Sequence, residues 1–130
     1  MKTSCQKSAV LFKTYIFLLV GTLFSCGGSK ALNTSYKSTT VSYYADKFDG
    51  KKTASGETYR HSRLTASNKS LAFGTRVEII NPANDKSVII TVNDRGPLKP
   101  SREFDLSQGA FRKIADLNEG IVKVKYRILR

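Results

Sequence analysis

The chain contains no tryptophan, one methionine, one histidine, two cysteines and three prolines in 130 residues. A single histidine without a set of partner cysteines cannot build a structural or catalytic zinc site, so no metal is expected. No glycine-rich loop leads into a helix, which excludes the usual phosphate cradle of nucleotide cofactors. No cofactor of any kind is expected. Acidic residues are also scarce, 10 Asp and Glu against 22 Lys and Arg, for a formal charge of +12. The basic residues are scattered and no nucleic-acid motif accompanies them, so the charge suits an anionic polymer generally, with no nucleic acid expected. The length allows one domain, and 40% hydrophobic residues make wholesale disorder or a polytopic membrane protein a poor fit.

The longest uncharged apolar run, Tyr15 to Phe24, falls short of the roughly 20 residues that a bilayer core requires. It follows Lys2, Lys7 and Lys13, and small residues come after it. That order is the pattern of an export signal. Leu23-Phe24-Ser25-Cys26-Gly27 resembles a bacterial lipobox, which implies that Cys26 is lipidated as the first residue of the mature chain. The alternative is an N-terminal helix packed on the domain, for which nothing downstream offers a matching apolar face. Cys5 would depart with the signal, so no pair remains for a disulfide and the core must hold by packing. Loss of Met1–Ser25 removes three lysines and no acid, so +12 becomes +9. The expected organisation is a signal peptide over 1–25, lipidated Cys26 and a small, polar tether over 26–40, and one domain over 41–130. The expected location is a membrane-anchored lipoprotein facing the periplasm, on the outer membrane if the cell is Gram-negative.

Four segments rich in β-branched or aromatic residues predict strands: Val41–Tyr44, Arg76–Ile80, Ser87–Val92 and Ile121–Ile128. The Asn, Pro and Asp of residues 81–86 predict a hairpin between the second and third. One short helix is expected from Ser107 to about Leu117, capped by Asp105 or Ser107, with Phe111, Ile114 and Ala115 on one face. Short strands, ordered loops and one short helix point to a small β-barrel, which closes its own edges.

Three clusters carry the candidate chemistry: Thr53-Ala-Ser-Gly-Glu57, the run from Leu64 to Thr75, and Val92-Asn-Asp-Arg-Gly-Pro97 followed by Phe104-Asp-Leu-Ser107. With Tyr43-Tyr44-Ala45 ahead of them, their order and wording resemble the RlpA family of septal-ring lytic transglycosylase-like lipoproteins over about Val41 to Ile128. The resemblance implies a mainly β fold, a six-stranded double-psi β-barrel of the barwin and expansin kind with one short helix. It also implies peptidoglycan glycan strands as substrate, and a membrane contact made through the N-terminal lipid. A monomer is expected.

Breaking a glycosidic bond requires a proton on the leaving oxygen, and a carboxyl group is the usual donor. A lytic transglycosylase needs no attacking water, because the C6 hydroxyl of the muramic acid closes a 1,6-anhydro ring. Asp94 and Glu57 are the catalytic candidates. The resemblance makes the counterpart of Asp94 the acid/base and places that of Glu57 in the same groove. The structural alternatives are that Asp94 holds its turn through backbone amides or Arg95, and that Glu57 is a solvated loop carboxylate. Asn68, Arg95, Tyr44 and Asp105 are expected to bind substrate, although Asp105 also suits a helix cap. Active members of the family commonly carry a histidine where this chain has Asn68, and asparagine cannot shuttle a proton. His61 is expected on an exposed loop. The leading expectation is therefore lytic cleavage of the MurNAc–GlcNAc bond, and the alternative is a non-catalytic, expansin-like peptidoglycan-binding module. A basic domain for anionic lipid or nucleic acid is the distant third.

Overall fold

The structure is a computed structural model that describes residues 35–130. The expected signal peptide, Cys26 and residues 27–34 of the tether lie outside the described residues. Among the described residues no helix is long and apolar enough to cross a membrane.

Six strands form a closed barrel: β1 Lys37–Tyr43, β2 Thr65–Asn68, β3 Arg76–Asn81, β4 Lys86–Asp94, β5 Arg102–Leu106 and β6 Val122–Leu129. Around the barrel the order is β1-β5-β2-β4-β3-β6, with parallel pairs β1–β5 and β2–β4 and antiparallel pairs elsewhere. β3 and β4 form the expected hairpin, Arg76 opposite Thr91 and Asn81 opposite Lys86. Alternation aims one face of each strand inward, and Val77, Ile79, Ile90, Val92 and Val124 are buried there with Val41, Phe104 and Leu106. The strongly β-branched strands supply the wall, and Phe104 supplies the largest of these side chains, edge-on to Tyr126 at 5.0 Å.

Two boundaries differ clearly from the sequence expectation. β1 begins at Lys37 rather than Val41, because Lys37–Val41 pair with Tyr126–Val122 of β6; the last four residues of the expected tether are thus strand. α1 spans Gln108–Arg112 and does not reach Leu117. Ser107 caps it as expected, its Oγ accepting from Ala110 N at 3.2 Å. Asp116 then starts a separate 3-10 turn, closed by a capping box with Glu119, and this ends the helix early. Phe111, Ile114 and Ala115 are all buried, although Ile114 and Ala115 lie beyond the end of α1.

Candidate functional site

The C-terminal ends of β1 and β4 and the middle of β5 meet at one groove of about 370 Å³, lined by Tyr44, Phe48, Ser67, Asp94, Asp105 and the Gly96–Leu98 turn. The strand registers explain the meeting. Ser67 on β2 pairs with Asp94 of β4 on one side and with Asp105 of β5 on the other, so the two acids flank one small hydroxyl residue. A larger concavity of about 540 Å³ lies on the barrel wall, but its carboxylate, Glu78, is paired with Arg127. Among the described residues no cluster of His, Cys, Asp and Glu is placed to hold a metal ion.

Asp94 is held as an acceptor. Its Oδ1 accepts from Ala54 N and from Arg95 N, both at 2.8 Å, and its Oδ2 accepts from the Tyr44 hydroxyl at 2.7 Å. A carboxylate offers about four acceptor positions, so roughly one is left for the groove. Burial, then the bond to Asp94, pushes the Tyr44 phenol well above its ordinary value, so Tyr44 stays a donor. The Tyr44 ring stacks on Tyr59 at 4.4 Å and meets Phe48 edge-on at 5.7 Å. Burial likewise lifts the Tyr59 phenol to about 12.

Asp105 lives differently. Its side chain is 23% exposed, and Oδ1 is buried without a hydrogen-bond partner; the nearest cation, Arg102 Nε, lies 3.5 Å away and is equally unpartnered. That distance supports attraction between charges but not a good hydrogen bond. Burial raises the Asp105 carboxyl above the usual aspartate range, with Arg102 and Lys99 pulling it back in part. Ser107, not Asp105, caps the helix.

Of the other expected site residues, Arg95 lines the groove, whereas Glu57 and Asn68 do not. Glu57 is exposed and accepts from Asn93 Nδ2 at 3.0 Å, outside the groove lining. Its loop returns on itself through Thr53 N to Glu57 O at 2.8 Å, and Gly56 takes the φ of 87° that this turn requires. The same loop presents Ala54 N to Asp94, so the loop backbone, and not the Glu57 carboxylate, reaches the site. Arg95 donates through Nη1 to Leu71 O at 2.9 Å and Asn68 O at 3.2 Å, and lies 4.0 Å over the Phe73 ring. These contacts hold the 68–73 loop, and the guanidinium is not paired with the Asp94 carboxylate.

A match over residues 36–126 to the family model described as lytic transglycolase covers most of the described chain. The chain belongs to that family, as an RlpA-like double-psi β-barrel. It is 43% identical over 117 residues to the endolytic peptidoglycan transglycosylase RlpA of Rickettsia felis, covering 85% of this chain and 51% of the relative. The chain thus spans about half the length of the curated relatives it matches. Among solved structures it resembles the Clavibacter michiganensis expansin, with a TM-score of 0.62 and 20% identity over 74% of this chain and 51% of that one. The Streptomyces papain inhibitor gives a TM-score of 0.61 and 24% identity over 74% of this chain and 96% of that one. At these identities the two structures establish the shared barrel.

Asn68 departs from expectation in this RlpA-like barrel. It is 2% exposed, and its amide is consumed within the protein: Oδ1 accepts from Ser70 N at 3.0 Å and Leu71 N at 2.8 Å, and Nδ2 donates to Glu103 O at 3.0 Å. It does not line the groove. An Asx turn uses the residue more fully than a sugar hydroxyl would. His61 is half-buried rather than exposed, its Nδ1 2.8 Å from the Tyr59 hydroxyl, and so stands behind the ring stack that supports Tyr44. Sequence reasoning missed Ser67, whose only signal is its place three residues into the Leu64–Thr75 cluster, and Leu98, a groove-rim side chain 97% exposed.

Proposed function

We propose that this chain binds peptidoglycan glycan strands in the Asp94 groove and cleaves the MurNAc–GlcNAc bond lytically, leaving 1,6-anhydro ends. The observation that carries the reading is the Asp94 carboxylate, aimed into the groove by three donors and left with acceptor capacity. An acceptor there suits the C6 hydroxyl of the muramic acid, which must lose its proton as its oxygen attacks C1. Tyr44 and the amides of Ala54 and Arg95 fix the carboxylate, so little reorganisation is needed when charge moves. Tyr44 and Phe48 offer aromatic faces to sugar rings along the groove. The activity named for the Rickettsia felis relative is the same reaction class and supports the assignment.

Export and lipidation at Cys26 complete the proposal, since peptidoglycan lies outside the cytoplasm. Tyr36 bonds Glu78 at 3.0 Å at the end of β1 remote from Tyr44, so the chain enters the barrel away from the groove. Cys26→Ala tests the anchor: the variant should leave the membrane fraction, and unchanged partition counts against lipidation.

The second reading, a binding module that does not cut, is favoured by Asn68, which offers no titratable group where the family commonly has histidine. The two readings part on one experiment. The protein and its Asp94→Asn variant are incubated with intact and with peptide-stripped sacculi. Release of fragments by the wild type alone supports cleavage, whereas pelleting of both proteins without release supports binding only.

A further inference from the structure

The one histidine of the chain is tied to the groove from behind. His61 is 24% exposed at its side chain, and its backbone is held on both sides: N donates to Asp49 Oδ1 at 3.0 Å, and O accepts from Gly109 N at 2.7 Å. The imidazole is thereby set edge-on to Tyr59, with Nδ1 2.8 Å from the Tyr59 hydroxyl. That hydroxyl also accepts from Gln108 N at 3.3 Å, so its own hydrogen is left for His61. Burial raises the Tyr59 phenol to about 12, which keeps the hydrogen in place. With Nδ1 accepting, the ring proton of the neutral imidazole sits on Nε2 and faces Asp46 Oδ1 at 3.7 Å, too long for a hydrogen bond but favourable between a dipole and a carboxylate. The tautomer is assigned from these partners.

Asp46 is placed by the same surroundings. Gln108 Nε2 donates to Asp46 Oδ1 at 2.7 Å and to Tyr44 O at 3.0 Å, so one amide links the carboxylate beside His61 to the backbone of Tyr44. Tyr59 is 2% exposed, and its ring lies 4.4 Å from that of Tyr44 at an interplanar angle of 24°. Each of the two stacked rings is therefore pinned by its hydroxyl, Tyr59 on His61 and Tyr44 on Asp94. A Tyr59 ring released at its hydroxyl can slide against its neighbour and carry the Tyr44 hydroxyl off Asp94, and small displacements of this kind near the chemistry slow a reaction.

We propose that His61 is a positioning residue of the groove: by accepting from Tyr59 it fixes the Tyr59 ring, and through that ring it holds the Tyr44 hydroxyl against Asp94. The inference rests on the lytic reading for its activity readout and goes beyond it, because His61 does not line the groove. The task differs from that of a histidine at position 68. No proton is passed on, and an acceptor at the place of Nδ1 is sufficient.

The test is a double-mutant cycle in the full chain, read by kcat and KM on glycan strands. His61→Leu removes the acceptor, whereas His61→Asn puts an amide oxygen near the place of Nδ1. His61→Leu should lower kcat by about 3- to 10-fold, the kinetic equivalent of one neutral hydrogen bond, with KM unchanged. His61→Asn should recover most of that loss. In the Tyr44→Phe background no hydroxyl remains to be aimed, so His61→Leu should lower kcat no further. A loss that adds in full to that of Tyr44→Phe marks a merely structural role and overturns the proposal, and so does a wild-type kcat in His61→Leu or a His61→Asn as slow as His61→Leu. Should His61→Leu fail to fold, Tyr59→Phe removes the same bond while keeping the ring, and it must show the same loss and the same lack of additivity. No cleavage by the wild type overturns the lytic reading alone, and the positioning role is then decided by exchange of the Tyr44 hydroxyl proton with solvent. That proton should lose protection in His61→Leu and regain it in His61→Asn, and protection unchanged in both overturns the proposal.

Discussion

The Tyr44 hydroxyl donates to Asp94 Oδ2 at 2.7 Å while its ring stacks on Tyr59, so one side chain both supports the groove and aims its carboxylate. Tyr44→Phe separates the two jobs. The ring contacts with Tyr59 and Phe48 survive, and only the hydrogen bond to a charged group is lost, at about 1.5–3 kcal/mol. Glycan cleavage should fall by roughly tenfold or more in kcat, with a cooperative thermal transition retained. Wild-type kcat in this variant would show that the bond does not aim Asp94.

Asn68 is expected to act on stability rather than on the groove. Asn68→Ala leaves the partly buried amides of Ser70 and Leu71 and the Glu103 carbonyl without their partner. Each lost hydrogen bond is worth about 0.5–1.5 kcal/mol, so a loss of about 1.5 kcal/mol or more is predicted from denaturant midpoints. A neutral result would mean that solvent satisfies these groups and that the amide is available elsewhere.

Gly109 lies in α1, where alanine would ordinarily add helix stability. Here an added Cβ would stand 2.5 Å from the His61 carbonyl oxygen, a backbone atom that accepts from Gly109 N at 2.7 Å. Gly109→Ala should therefore destabilise by about 1–3 kcal/mol. A rise in melting temperature would contradict the packing of α1 against the 61–62 backbone.

Asp105 also carries a pH signature. Its carboxyl is raised in the folded protein, so the native state binds the proton more tightly than the unfolded chain does. Its contribution to stability is present below the unfolded value of about 3.9 and is lost as pH rises through the folded value. Asp105→Asn removes that dependence, whatever the loss of the Arg102 partner does to absolute stability. The melting temperature of the wild type should thus fall relative to that of Asp105→Asn as pH rises from about 4. Parallel pH profiles would contradict the raised carboxyl.

Much of the barrel was legible because β3, β4 and β6 are built from alternating β-branched residues whose burial the structure repeats. β2 and β5 were not. Thr65-Ala-Ser-Asn68 and Arg102-Glu-Phe-Asp-Leu106 have weak strand propensity and become strands through pairing with neighbours on both sides. The count of six came from the family resemblance alone. At the site, Asp94, Asp105 and Tyr44 were legible as residues of motifs, and the structure brings them to one groove. The inward turn of Asn68 was not legible, since an asparagine reads alike as a sugar ligand and as an Asx turn. The separation of Glu57 from the groove was hidden too, because its loop reaches Asp94 through the backbone of Ala54.

The most direct test of the groove as a lytic site is the mass of the glycan ends released from peptide-stripped peptidoglycan by the wild type and by Asp94→Asn. The account predicts ends lighter by one water than a hydrolytic reducing end, formed by the wild type and absent from the variant. Hydrolytic ends, or anhydro ends that persist undiminished in Asp94→Asn, would contradict it.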